Sequence, residues 1–181
     1  MSSEELHELQ EHAEHAKHDP SLAPVSVTMA ILAVLVAIVS LLGHRAATEA
    51  VLNQAKASDQ WGYYQAKNIR GHEDRLFANL TAVVPSSNAE ALAKIREEYL
   101  QEAERYKDDQ KEIEGEARKL EQEVALEQRR ANRYDLGEVF LEIALVITSI
   151  TLLSRRRVFW QLGLLMGAVG LGLAATGFLV R

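Results

Sequence analysis

VSVTMAILAVLVAIVSLLG occupies residues 25–43 and carries no charged side chain. At about 1.5 Å of rise per residue, a helix of that length crosses a hydrocarbon core of about 30 Å. LGEVFLEIALVITSITLL (136–153) and VFWQLGLLMGAVGLGLAATGFLV (158–180) have the same reach. The expected fold is therefore an all-α membrane protein. Three transmembrane helices (25–43, 135–154 and 158–181) bracket a long antiparallel helical hairpin, a coiled coil, between the first and the second.

The mean hydropathy of −0.12 conceals this pattern, because it averages three oily runs with a very polar remainder. The 181 residues leave room for one extramembrane unit, at 44–134. Three prolines let helices run long. A net charge of −6 gives no reason to expect nucleic acid. The absence of cysteine excludes disulfides, thiol catalysis and zinc–thiolate sites. The segment before the first span is acidic (Glu4, Glu5, Glu8, Glu11, Glu14, Asp19), unlike the basic start of a signal peptide, so the span reads as a retained anchor.

Residues 1–24 form an acidic tail. His12, His15 and His18 recur every third residue within it, each four residues after a glutamate. They are candidates for binding a transition metal, but composition favours a solvated tail. No cofactor is expected.

Pro24 suits a helix start, and nothing breaks the helix from there to about Leu80. A turn falls near 83–88, where Ser87 and Glu90 have capping-box spacing for the next helix. A heptad follows. Leu92, Tyr99, Tyr106, Ile113, Leu120, Glu127 and Tyr134 lie seven apart. Arg96, Ala103, Gln110, Ala117, Val124 and Ala131 each follow four residues after one of the first six. Large residues on one line and mostly small ones on the other suit close antiparallel packing. Each arm is about 60 Å long if helical throughout, and a two-helix arm with limited buried area is expected to pair with copies of itself.

Arg155, Arg156 and Arg157 form a tight turn between the last two spans. By the positive-inside rule they place that turn and the N-terminus in the cytoplasm, and the hairpin in the periplasm of a bacterial inner membrane. Arg45, Arg129, Arg130 and Arg133 argue the other way, but the segment they flank is too long for the rule to weigh heavily.

Several constellations could carry chemistry. Glu138 and Glu142 lie one turn apart inside the second span, where an acid is costly unless protonated, paired or facing water. His44, Arg45 and Arg181 share that end of the bundle and are available partners. Gly163, Gly167 and Gly170 form a small-residue face suited to tight helix packing within or between subunits. Trp61, Tyr63 and Tyr64 lie beyond the interfacial belt and serve packing or docking, as do Tyr99 and Tyr106. Trp160, beside the arginine turn, reads as an interface anchor. No nucleophile elbow, zincin helix or phosphate loop is present.

The acidic His-bearing tail, the single span and the coil lead to two spans around Arg155, Arg156 and Arg157. Together with Ala57-Ser58-Asp59-Gln60-Trp61 and Tyr63-Tyr64-Gln65-Ala66-Lys67, this layout resembles the bacterial family called domain of unknown function 4337. The resemblance covers essentially the whole chain. Gly62 stands where a larger residue such as Ala is expected. The resemblance implies a bacterial membrane protein and brings no activity, substrate or catalytic residue.

The expected function is thus non-enzymatic: a membrane scaffold or structural protein that self-associates through the hairpin and the transmembrane helices. Its partners would be the lipid bilayer, copies of itself and other membrane proteins, with no nucleic acid. One alternative is a sensor or adaptor signalling through the hairpin. Another is a small oligomeric channel or proton pathway using Glu142.

Overall fold

A computed structural model describes residues 22–85 and 87–180. Three α-helices and no strand occur among them: α1 (Ala23–Val83), α2 (Ala89–Ser154) and α3 (Arg157–Gly177). All three contain a run long and apolar enough to cross a membrane.

The helix boundaries follow from local chemistry. Pro24 sits in the first turn of α1, where its missing N–H has no intrahelical partner to lose. α1 then runs unbroken to Val83, two residues before Pro85. The expected capping box is not the device that starts α2. Asn88 caps it instead, its Oδ1 accepting the Ala91 N–H at 3.0 Å. Asn is among the strongest N-caps, and it stands one residue nearer the helix than Ser87. The arginine turn is also shorter than expected, because Arg157 already belongs to α3. α3 ends at Gly177, so residues 178–180 lie outside it. His12, His15, His18 and Arg181 lie outside the described residues.

The chain divides into two compact units. One comprises Met1–Thr48 with Leu126–Arg181, the other Glu49–Ala125. In the first, Leu32, Val36, Val39 and Ala46 of α1 pack with Ala131, Tyr134, Leu141 and Ala144 of α2 and Ala174 of α3. Large apolar side chains face outward, as with Val34 (60% exposed), Val146 (61%) and Leu165 (60%). An apolar exterior over a core rich in Ala and Gly is what lipid selects, since tails solvate Leu and Val while small residues let backbones meet.

In the second unit, segments of α1 and α2 pair. Asn53 meets Glu123, Lys67 meets Asp109 and Phe77 stacks on Tyr99. Ala103, Ile113, Ala117 and Val124, all members of the heptad read from the sequence, are buried here. Arg96 is the exposed exception. Ala50, Asn53, Ala57, Gly71 and Ala78 are the buried positions of α1 opposite them.

Candidate functional site

The aromatic motif of α1 faces α2. Trp61 Nε1 donates to Glu121 Oε1 at 2.8 Å, and its ring meets Tyr64 edge-on at 5.6 Å. Lys67 Nζ lies 2.7 Å from Asp109 Oδ2, 4.8 Å from the centre of the Tyr106 ring and 5.4 Å from that of Tyr63. A cation held between a carboxylate and two aromatic faces gains from both charge pairing and the ring quadrupoles. The hydrogen bond with Asp109 raises the Lys67 pKa, partly offset by burial. Trp61, Tyr64 and Lys67 therefore tie two helices together, while Tyr63 remains half exposed (51%).

A column of acidic residues runs along α2, and three of its four members meet α1. Glu102, Asp109, Glu116 and Glu123 recur every seven residues. Lys67 balances Asp109, and Asn53 donates to Glu123 at a long 3.5 Å. Asp74 instead approaches Glu102, with no cation between them. Its Oδ2 is buried with no hydrogen-bond partner. Burial, then the Glu102 and Glu73 charges, push the Asp74 carboxyl above the usual range.

Sequence reasoning missed Asp74 as a seam residue and marked Lys67 only as the end of a packing or docking motif. The signal was present: Gly43, Ala46, Ala50, Asn53, Ala57, Gln60, Tyr64, Lys67, Gly71, Asp74 and Ala78 alternate spacings of three and four. Two charges and six Ala or Gly residues hid a heptad that contains few large apolar residues.

The glycine face is used inside the subunit. A side chain added at Gly163 would run into Thr148 of α2, and one at Gly167 would meet Leu32 of α1 at 2.9 Å. One at Gly170 would meet the Gly137 carbonyl at 2.8 Å. Self-association through Gly163, Gly167 and Gly170 is accordingly not open to this subunit, since its own helices fill that face.

Glu138 is half-buried and Glu142 exposed on the outer side of α2. Neither has a hydrogen bond or ion pair among the described residues, so His44 and Arg45 are not their partners. The reason is depth. Gly43 of α1 packs level with Tyr134 and Asp135, leaving Glu142 about 10 Å further along the span by helix rise. His44 and Arg45 both point away from the packed face that Gly43 and Ala46 form.

Arg155, Arg156 and Arg157 are all exposed and have no ion pair among the described residues. Arg155 has φ 55°, the left-handed region that costs a side-chain-bearing residue about 1–2 kcal/mol. Its N–H still bonds the Thr151 carbonyl at 2.9 Å, closing the end of α2. Trp160 Nε1 donates to Thr28 Oγ1 at 3.1 Å, fastening the start of α3 to the start of α1. No group of three or more metal-ligating side chains occurs among the described residues.

The described residues are all-helical, with three runs long and apolar enough to cross a membrane, which is consistent with a membrane protein. The chain belongs to the family described as Domain of unknown function (DUF4337), whose model matches residues 21–180. The comparisons with curated proteins and with solved structures find no match.

Proposed function

We propose that the protein is a non-enzymatic scaffold of a bacterial inner membrane. It self-associates through the outer face of an antiparallel coiled-coil hairpin, residues 44–134, anchored by its three spans. One observation carries this reading. Ile69, Leu76, Leu80 and Val83 of α1 are 59, 59, 46 and 74% exposed. Their spacings of seven, four and three put them on one helical side, about 180° from the buried seam. A water-facing apolar stripe of this kind marks an interaction surface. Its heptad-like spacing fits a second helix of the same kind, hence a second copy.

Other partners are membrane proteins that dock on the same hairpin. The N-terminus and the arginine turn are assigned to the cytoplasm and the hairpin to the periplasm, on the charge of the short loop. The sensor reading has less support, because Trp61, Tyr64 and Lys67 are occupied in joining α1 to α2.

The test is the oligomeric state of the full chain in mild detergent, measured by light scattering and single-particle imaging. The wild-type chain should form an oligomer, and Ile69→Lys combined with Leu76→Lys should release single subunits that keep their helix content. A wild-type chain that runs as a lone subunit refutes the proposal.

A second reading, an oligomeric proton or cation pathway, is favoured by Glu142. An unpaired carboxylate at that depth costs up to about 3 kcal/mol unless another subunit or water covers it. Ion flux through liposomes carrying the wild-type chain, abolished by Glu142→Gln, would support it. Tight liposomes with the wild-type chain would dismiss it.

A further inference from the structure

A cavity of about 240 Å³ opens where the start of α1, the end of α2 and the start of α3 meet. Arg155, Arg157, Trp160 and Thr151 line it, with Leu22 and Val25 among the apolar walls. We propose that this cavity binds the phosphate headgroup of an anionic phospholipid.

The walls are cationic and unneutralised. Neither Arg155 nor Arg157 meets a carboxylate among the described residues. Guanidinium groups present a planar fork that matches phosphate oxygens. α3 begins at the same place, and Arg156 at its N-cap offers no side-chain hydrogen bond to the first turn. The Arg157 and Val158 amides of that turn are thus open to an anion, while the Phe159 N–H bonds the Arg156 carbonyl at 3.3 Å, and the helix dipole favours an anion there.

The decisive observation is independent of charge. Thr151 is 1% exposed, and its hydroxyl is buried without a hydrogen-bond partner. Threonines inside helices ordinarily return the hydroxyl proton to a carbonyl three or four residues earlier. Thr28, Thr48, Thr81, Thr148 and Thr176 all do so here. Thr151 is the exception among the described threonines, and it lines the cavity. A buried hydroxyl left open beside two free arginines is a donor awaiting an acceptor.

Position selects a lipid over a free anion. The cavity lies at the end of three membrane-length runs, beside Trp160 at the depth where indoles mark the headgroup layer. Its volume is below the roughly 300–1,000 Å³ that encloses a drug-sized ligand, so it suits a headgroup whose tails stay outside. Val158 and Leu162, both exposed on α3, offer those tails an apolar surface. None of this depends on self-association.

The full chain in mild detergent would be titrated with phosphatidylglycerol, phosphatidylcholine or inorganic phosphate, and binding read by native mass spectrometry. Saturable binding is expected for phosphatidylglycerol and not for phosphatidylcholine. Each arginine is expected to contribute about fivefold, so Arg155→Gln with Arg157→Gln should weaken binding about 25-fold. Thr151→Val should weaken it about fivefold while conserving shape. Arg155→Gly guards against a trivial loss through unfolding, since glycine relaxes the left-handed backbone while removing the charge. It should bind less lipid and melt no lower. Equal binding of both lipids, or unchanged affinity in the arginine variants, overturns the site. Displacement of the lipid by equimolar inorganic phosphate overturns the lipid assignment and leaves a free phosphate as the ligand.

Discussion

Lys67 of α1 sits 2.7 Å from the Asp109 carboxylate and 4.8 Å from the centre of the Tyr106 ring, both on α2. One side chain thus draws charge pairing and a ring contact from the same partner helix. Because the folded state raises the Lys67 pKa, the contribution is complete below its ordinary value of 10.5. It is lost as pH climbs through the folded value. Lys67→Met should therefore lower the melting temperature of the full chain at pH 7, and that deficit should shrink in strongly alkaline buffer. Circular dichroism melts at the two pH values check this, and a deficit that persists unchanged in alkali would exclude the ion pair as its source.

Asp74 has the opposite sign of effect. Its carboxyl pKa is raised by burial and by Glu102 and Glu73. The folded state then holds the proton more tightly than the unfolded chain. Asp74 is harmless below the ordinary carboxylate range and becomes destabilising as pH rises through its folded value. Arg105, ion-paired with Glu102, softens the repulsion without reaching Asp74 itself. Asp74→Asn should raise the melting temperature at pH 7 and leave it unchanged near pH 3. A variant that melts lower at neutral pH would show that the buried oxygen has a partner after all.

Gly137 and Gly172 provide a matched contrast. A Cβ at Gly137 would meet Ala174 Cβ and the Gly170 carbonyl at 2.8 Å, whereas one at Gly172 meets nothing within 4 Å. Gly137→Ala should cost about 1–3 kcal/mol through overpacking between α2 and α3. Gly172→Ala should be neutral or add up to about 1 kcal/mol through helix propensity. Unfolding in mixed micelles would rank them, and equal stabilities would mean that α2 and α3 do not approach so closely.

Glu142 is exposed and has no partner among the described residues. Glu142→Gln should therefore change the unfolding free energy of a dispersed subunit by less than about 0.5 kcal/mol. If the acid is covered in an oligomer, the same change should alter the proportion of oligomer measured by light scattering. A large loss in the dispersed subunit would reveal a partner within the chain.

Much of the architecture was legible because membrane spans and a heptad each have a strong period. The three apolar runs fall in α1, α2 and α3. Ala103, Ile113, Ala117 and Val124, the middle of the heptad, are buried as their spacing implies. The facing seam was harder to see. On α1 it is built from Ala, Gly, Asn, Lys and Asp, and hydrophobic periodicity is blind to a face whose packing relies on absent side chains. The start of α2 was misplaced by one residue because two capping-competent residues, Ser87 and Asn88, stand side by side. The arginines were read for their charge. That Arg155 adopts a left-handed backbone, and that Thr151 keeps an unused hydroxyl beside it, are three-dimensional facts with no sequence signature.

The seven-residue recurrence of Glu102, Asp109, Glu116 and Glu123 bears on how the two helices choose their alignment. If α2 slid by one full repeat in either direction, Lys67 would face another glutamate and keep its counterion. Charge therefore cannot discriminate among these alignments. Girth can: Gly71 admits the base of Tyr106 at 3.5 Å, whereas a slip one way would set Tyr106 against the bulk of Tyr64. A slip the other way would bring Asp109 up to Asp74, where Glu102 already stands, so that exchange is again neutral in charge. What rejects a slip is thus one missing side chain, the gap that Gly71 leaves for Tyr106, and not the attraction that dominates the seam.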